Sequence, residues 1–508
     1  MSNVNRKGSI TGSQISDIEA ELSIYRNGQR VEIDGSWNFV EFLNGFSISE
    51  TITNASIQAS FVLTDAMGMC AVLTGSESWK FTLKTDHIDR TYFFRTYEVV
   101  DRSRTNQLSD IFIINAASDE FLKNEVVNVF GHSEVLFGGR KDVTKKTSYK
   151  QTESGTKAEA IVKRLLNNKD YIGSPKKVFT DLNESINNHQ FISTNWRPFD
   201  LIYWLGQRTI RKGKGKSSFQ NGYAFFETAL GYNFKSIDGM IDRANAQKFD
   251  TKTNFTKGEP QLYKYTYRPK STGSPETDPY NINSIVFPNE RSYLMGLRHG
   301  AWAGYSIGFD PTTLGNSKVG TDVSQDISND TYRYSNQEMW KNMSHLGKTK
   351  DQNPIKLMDS GVQALLDYPK RVRYTALPNQ VFDKKFKKNP QKNYEQLVEL
   401  QAYQYIRMES LKSIRLSIGV PGNLDLYAGS AVYVEMPGGQ RGDEVFIDKK
   451  YSGRYLIVGV EHESTGETFS TTLLLCKDSL YGKPAISTLS TTDGAKIQDD
   501  VIKTKSKV

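Results

Sequence analysis

The sequence is short of cysteine and histidine and lacks the familiar catalytic motifs. Two cysteines, Cys70 and Cys476, occur in 508 residues. That excludes a disulfide framework, and a reduced pair is expected. Their corresponding places in two similar segments leave a single bridge as the alternative. No run of 18 or more apolar residues occurs, so no membrane span is expected. The start, Met1-Ser-Asn-Val-Asn-Arg-Lys-Gly8, has no apolar core, so no secretory signal is expected either. The six histidines are His87, His132, His189, His299, His345 and His462. None lies at HExxH or other metal-ligand spacing, and neither cysteine belongs to a CxxC. There is no GxSxG elbow, P-loop or GxGxxG. Paired carboxylates of a glycoside hydrolase meet only in space, and nothing in the sequence singles out a pair. No catalytic, cofactor-binding or metal-ligating residue is therefore assigned, and no cofactor is expected. The net charge of +8, from 65 Lys and Arg against 57 Asp and Glu, is too modest to mark a nucleic-acid binder.

What the chain does hold is aromatic bulk and a repeated pattern. Aromatic residues make up 11%, with 26 Tyr and 26 Phe, which suits β-rich folds. The length is too great for one core and calls for about three to four domains. Two distant stretches look like copies of one β-unit. The first runs through Ser56–Asp65, Leu73–Leu83, Tyr92–Val100 and Ile111–Ile114; the second through Ser413–Gly422, Tyr427–Pro437, Gly453–Val460 and Thr468–Leu475. Each has a strand, a connection, a Gly-Ser turn (Gly75-Ser76, Gly429-Ser430), an alternating strand and a hairpin. Trp79, Phe81 and Leu83 alternate with Lys80, Thr82 and Lys84, as Val432, Val434 and Met436 alternate with Tyr433 and Glu435. Period-two alternation marks strands with one buried face.

The expected fold class is mainly β with α+β insertions: two barrel domains related by duplication. Residues 1–15 form a polar arm, 16–117 the first β-barrel domain and 118–255 an α+β insertion. Residues 256–315 with 395–482 form the second barrel, 316–394 a polar insertion and 483–508 a tail. Within the first insertion, Ala158, Ile161, Val162, Leu165 and Leu166 share a helical face. Pro198 opens a second helix through Leu205, which ends in a basic loop, Arg211–Lys216. Tyr223–Glu227 and Gly231–Ile237 read as a hairpin. Further on, Leu262–Tyr267, Ile282–Phe287 and Gly300–Asp310 read as strands, Asn336–Ser344 contains a helix, and Tyr394–Met408 reads as a helix unless Tyr405 and Ile406 already begin a strand.

Several local signals have plain explanations. Glu461-His462-Glu463 reads as a solvated strand face. Arg441-Gly-Asp443 matches a cell-adhesion tripeptide, but a polar loop accounts for it. The basic clusters Arg140–Lys150, Arg211–Lys216 and Lys384–Lys392 read as solvated loops rather than as contacts to nucleic acid or an acidic protein. They lack the interleaved aromatics of a single-strand groove. Trp196, Pro198, Phe199, Trp204, Leu205, Phe225 and Phe226 read as the core of the insertion.

One set of motifs points to a family. Asn195-Trp196-Arg197-Pro198-Phe199-Asp200, the pair Trp204-Leu205, Phe225-Phe226-Glu227 and Gly231-Tyr232-Asn-Phe234-Lys-Ser236-Ile237 occur in order. With Val420-Pro-Gly-Asn-Leu-Asp-Leu-Tyr-Ala-Gly429, the chain resembles the baseplate hub proteins of contractile-tailed bacteriophages, related to the hub part of type VI secretion spikes. The resemblance covers about residues 18–482; the 316–390 segment and the tail after 483 are larger than a small hub needs. It implies a non-enzymatic homotrimer in the virion's tail baseplate, assembled in the host cytoplasm. Two tube domains per chain would give a pseudo-sixfold ring that adapts a threefold central spike to a sixfold tail tube. Implied partners are the spike, the tube initiator or first tube ring, the tape measure protein and the baseplate wedge, with DNA passing the lumen without specific binding. The alternatives are a tail-associated cell-wall hydrolase and a distal tail adaptor of a non-contractile tail.

Overall fold

The computed structural model describes residues 4–7, 18–32, 35–66, 68, 73–104, 109–126, 156–183, 185–189, 191, 196–213, 219–249, 260–268, 278–288, 290, 292–309, 333–348, 353–366, 371–376, 388–441, 444–466 and 468–481. Cys70, the run 140–150, parts of the 316–394 segment and the tail from 482 lie outside them. The fold is mainly antiparallel β with few helices. None of the described helices is long and apolar enough to cross a membrane.

Six strands make the first unit: β1 (Glu19–Arg26), β2 (Leu43–Thr51), β3 (Gln58–Asp65), β4 (Ser78–Lys84), β5 (Ile88–Arg104) and β6 (Asp110–Ser118). They hydrogen-bond in the order β2-β3-β6-β5-β4-β1, every pair antiparallel. The alternation seen in the sequence sets which face is buried. Trp79, Phe81 and Leu83 turn inward with Leu22, Phe46, Ile48, Phe61 and Phe94 to form one apolar core. Phe61 and Phe81 meet edge to face at 5.2 Å. Burying each such ring stabilises the unit by about 1.5–3 kcal/mol.

The second unit repeats this plan. Its strands are β9 (Tyr263–Thr266), β10 (Ser284–Val286), β11 (Ile414–Pro421), β12 (Ala431–Glu435), β13 (Gly453–Thr465) and β14 (Thr468–Lys477); β7 and β8 belong to the insertion below. The order is β10-β11-β14-β13-β12-β9. Numbered by rank along the chain, both units read 2-3-6-5-4-1. One pair differs in sense: β9 runs parallel to β12, whereas β1 runs antiparallel to β4. The core holds Leu416, Ile418, Val432, Val434, Ile457 and Leu475. Gly75 and Gly429 precede the equivalent strands β4 and β12 with φ of +80° and +76°. An L-residue there adopts a left-handed conformation costing roughly 1 kcal/mol or more. At Gly429 a Cβ would also come within 2.7 Å of Phe226 Cζ.

The insertion packs α1 (Ala158–Asn167) and α2 (Pro198–Arg208) against the hairpin of β7 (Tyr223–Thr228) and β8 (Gly231–Ser236). The helical face anticipated from the spacing is the buried one, and Pro198 takes the first helical position. Ile237 ends no strand: it opens α3 (Ile237–Ala246), because the Ser236 side chain accepts from Gly239 N at 2.9 Å and caps a helix there. Phe199, Leu205, Phe225 and Phe226 are buried as anticipated. Trp196 and Trp204 are only half-buried and pack on each other at the rim, 5.5 Å apart. Between β10 and β11, Ala303–Phe309 pairs with Arg333–Ser335 and Val372–Ala376 in a separate three-stranded sheet. Helix α4 (Pro390–Leu411) includes Tyr405 and Ile406, so neither begins a strand.

Two outcomes follow from this packing. Phe225→Ala is expected to destabilise the protein by about 3–5 kcal/mol, and Trp204→Ala by clearly less, measured by denaturant unfolding. The second concerns Glu77, whose carboxylate accepts from the N–H groups of Thr74 (2.7 Å), Gly75 (3.0 Å) and Ser76 (3.1 Å) and from Arg26 at 2.8 Å. Burial pushes its pKa up, but these donors outweigh it and hold the group down at about 2. The stability it contributes is present above the ordinary glutamate range and is lost as pH falls through about 2. Unfolding midpoints between pH 4.5 and 2 should fall less steeply in Glu77→Gln, which starts lower at pH 7.

Candidate functional site

The two units meet along one strand seam. The free edge of β2 pairs antiparallel with β13, from Thr51 opposite Gly459 to Gly45 opposite Thr465. β13 is long enough to serve two neighbours on that side: β12 takes Gly453–Leu456, and β2 takes the stretch beyond. Leu424 and Phe469 of the second unit complete the core of the first. No backbone edge is left open where the units join, which an exposed pair of sheets would otherwise present.

Behind the seam sits a buried charge cluster. Glu50 on β2 and Arg90 on β5 are both fully buried, with Nη1 and Oε1 3.6 Å apart. Arg90 donates to Tyr92 Oη at 2.8 Å and to the Leu426 carbonyl at 3.0 Å, and lies 4.5 Å over the Tyr427 ring. Glu50 accepts from Ala229 N at 2.8 Å and Ala428 N at 3.4 Å. Burial pushes the Glu50 carboxyl up to about 7, against the pull of Arg90 and these two N–H donors. His462 Nε2 lies 3.3 Å from Arg90 Nη1 and its Nδ1 lies 3.0 Å from Thr471 Oγ1. Arginine only donates, so Nε2 accepts and the proton sits on Nδ1. Burial, then the Arg90 charge, push this imidazole well below its usual range. Three chain regions thus converge on one neutralised, water-excluded knot: β2 and β5 of the first unit, the 426–428 turn and β13 of the second, and Ala229 of the insertion.

Two further clusters anchor the insertions. Lys176 Nζ bridges Glu120 (2.6 Å) and Glu227 (2.5 Å), and Glu227 also accepts from Ile57 N at 3.1 Å, beside the turn between β2 and β3. Arg407 on α4 is fully buried. It donates to Asp478 at 2.9 Å and to the Ser344 carbonyl at 2.9 Å, and lies 3.5 Å from Asp238. Tyr403 and the Ser344 N–H donate to the same Asp238, each at 2.8 Å. Burial raises Asp478, but Arg407 and His345 outweigh it and hold its carboxyl well below the usual range. A cavity of about 430 Å³ lies between the hairpin of the insertion and the Tyr427–Ser430 turn; Phe179, Asn233, Lys235, Arg243, Gln247 and Tyr427 are among its lining. Burial, then the neighbouring Arg243, push Lys235 down to about 7.

Among the described residues no group of three His, Cys, Asp or Glu is placed to hold a metal. His462 is not on a solvated face: it points inward while Glu461 and Glu463 remain outside, because the strand alternates and His462 falls in the buried phase. Arg211 is likewise no solvated loop residue. It sits in a short strand pair and binds Asp242 at 2.7 Å and Asp181 at 3.6 Å. Arg441 ends a strand, while Gly442 and Asp443 lie outside the described residues. Cys476 is a buried free thiol, pushed up to about 11 by burial. Glu50 and Arg90 escaped notice in the sequence. Their signal was phase: Glu50 follows Phe46 and Ile48 at period two, and Arg90 sits between Ile88 and Tyr92 on an inward face.

The Arg407 cluster makes a direct prediction. Arg407→Met leaves Asp238 and Asp478 buried without their counter-charge, and should cost about 3–5 kcal/mol in denaturant unfolding. Arg407→Lys should recover only part of this, since one ammonium cannot span the donors of the planar fork.

No family model and no curated protein matches the chain. Solved structures do. The chain is similar to the tail protein from Neisseria meningitidis MC58, at 10% identity over 91% of this chain and 98% of that one, with a TM-score of 0.46. It is similar to the 43 kDa tail protein of prophage MuSo2 from Shewanella oneidensis, at 10% identity over 91% and 100%, with a TM-score of 0.46. It is also similar to the E. coli c3393 protein, a type VI secretion component described as similar to the T4 bacteriophage tail proteins gp27 and gp5, at 10% identity over 92% and 79%, with a TM-score of 0.35. The solved structures named here are thus two tail proteins, one of them from a prophage, and a component of a type VI secretion system.

Proposed function

We propose that this chain is a structural hub of a contractile-tail baseplate. It works as a homotrimer whose two tube-type β-barrel domains per chain, related by duplication, supply six similar units around one axis. The observation that carries this reading is the shared 2-3-6-5-4-1 strand order of the two units, joined edge to edge by the β2–β13 seam. Threefold symmetry acting on two like units yields six like edges. In this reading the first barrel spans 16–117 and the second 256–315 with 395–482, while 118–255 and 316–394 are insertions facing outward partners. The trimer holds a central spike on one side and the tube initiator or first tube ring on the other, with the tape measure protein and baseplate wedge as further neighbours. DNA passes a lumen that has no specific grip on it. The protein assembles in the host cytoplasm, resides in the virion tail and catalyses no reaction.

The seam supports this reading because its chemistry is that of a rigid joint. Fully buried Glu50, Arg90 and His462 fix the angle between the two units, as a ring of set diameter requires. Light scattering on the purified chain, alone and with its spike, should give three copies. Electron-microscopy class averages should show six similar lobes with threefold symmetry. A single copy in the presence of spike, or a ring of six chains, would overturn the proposal.

A further inference from the structure

The internal seam has an open counterpart in each of the two β-units. In the second unit, β13 receives β2 on the side of β12, just past the place where β12 stops. In the first unit, β5 is the equivalent strand and β4 the equivalent neighbour. The pairing of β5 with β4 ends where Ser78 lies opposite Arg95, and Thr96 N still donates to the Glu77 carbonyl at 3.0 Å. From residue 97 to 104, no strand among the described residues pairs with that side of β5. In the second unit β10 is the equivalent of β2. It pairs with β11 only, and its outer edge meets no described strand.

Both open edges carry apolar side chains in solvent. Tyr97, Val99 and Val100 on β5 are 51%, 44% and 51% exposed; Val286 and Phe287, at the end of β10, are 60% and 52% exposed. Unpaired edges with exposed β-branched and aromatic residues are templates on which a strand of another chain can pair.

The geometry points to a second copy of this chain as that partner: β10 of one copy pairs antiparallel with residues 97–104 of the next, repeating between copies the seam that β2 and β13 make within one. This rests on the ring reading above and names the edges that close it. The register follows from the two units. β13 bulges once, between Ile457 and Gly459, and the first of two bulges in β5, between Thr96 and Glu98, is its equivalent. These bulges align Ala116 of β6 with Leu475 of β14, hence Ala59 of β3 with Leu416 of β11. Through the pairs Ser47–Ser60 and Val286–Ser417, Val286 then stands where Ser47 stands. Ser47 lies opposite Glu463, and the β5 residue equivalent to Glu463 is Ser103, once the second bulge at Val100 is allowed for. Val286 of one copy is therefore opposite Ser103 of the next. The contact is head to tail, so each copy offers one edge of each kind, and the chain of contacts closes when the rotation per copy is one third of a turn.

The test uses the full chain. Ser103→Cys and Val286→Cys single variants are mixed and joined with a short bismaleimide, beside each variant alone and the unaltered chain, which controls for Cys70 and Cys476. The mixture should give a covalent dimer that neither variant gives alone, and the double variant should give covalent trimers. A protein of three copies by light scattering that gives no product in the mixture overturns this edge pairing while leaving the ring. Covalent ladders running past three copies uphold the edge pairing and overturn the ring. A protein that stays a single copy and gives no product overturns both. Val286→Lys places a charge on the exposed edge, and should convert three copies to one while the circular-dichroism spectrum stays that of the folded chain; a variant that keeps three copies also overturns the pairing.

Discussion

The β2–β13 seam is the constraint on which the rest of the molecule depends. It turns two separate sheets into one continuous surface, and it buries Glu50, Arg90 and His462 where water cannot solvate them. A buried ion pair is weak evidence for stability, because desolvating two charges offsets most of their attraction. Its physical consequence here is geometric. Arg90 satisfies a tyrosine, a carbonyl and a histidine only in one arrangement of the two units, so a slip or rotation at the seam would strand a buried charge.

The insertions are tied to that same joint. Glu227 and Ala229, at the turn of the β7–β8 hairpin, bind Ile57 N and Glu50, and Phe226 packs so closely on Gly429 that no side chain fits there. On the other face, Arg407 of α4 clamps Asp238 of α3 to Asp478 just past β14. Each insertion is thus held by a charged group, buried or nearly so, with partners on different elements. Motion of the insertions relative to the two β-units would break these buried hydrogen bonds.

Much of this was legible in the sequence, and the reason is periodicity. Trp79, Phe81 and Leu83, and Val432, Val434 and Met436, announced their buried faces by alternation. The α1 face was readable from Ala158, Ile161, Val162, Leu165 and Leu166. The Gly-Ser turns marked equivalent places, and both glycines take the positive φ that a tight entry into a strand demands. Where local reading failed, a competing long-range contact decided. His462 sits between two glutamates and looks solvated, yet strand phase turns it toward Arg90, distant in sequence. Arg211 looks like part of a basic loop, yet Asp181 and Asp242 take it out of solvent. Trp196 and Trp204 look like a core, yet α2 turns its Phe199 and Leu205 side to the hairpin and leaves the tryptophans at the rim.

By itself the sequence determined the local elements: which segments alternate, which face of each is apolar, where turns need glycine, and that two β-units share a strand succession. Those properties depend on neighbours within a few residues, so composition and spacing carry them. The tertiary structure decided what joins what. The seam pairs strands whose residues are about 410 positions apart, and no local pattern encodes such a partner. It also decided which charges are buried, because Glu50 and Arg90 become inaccessible only when the second unit and the insertion close over them. Finally, it decided which edges stay open, since an unpaired strand has the same sequence signature as a paired one.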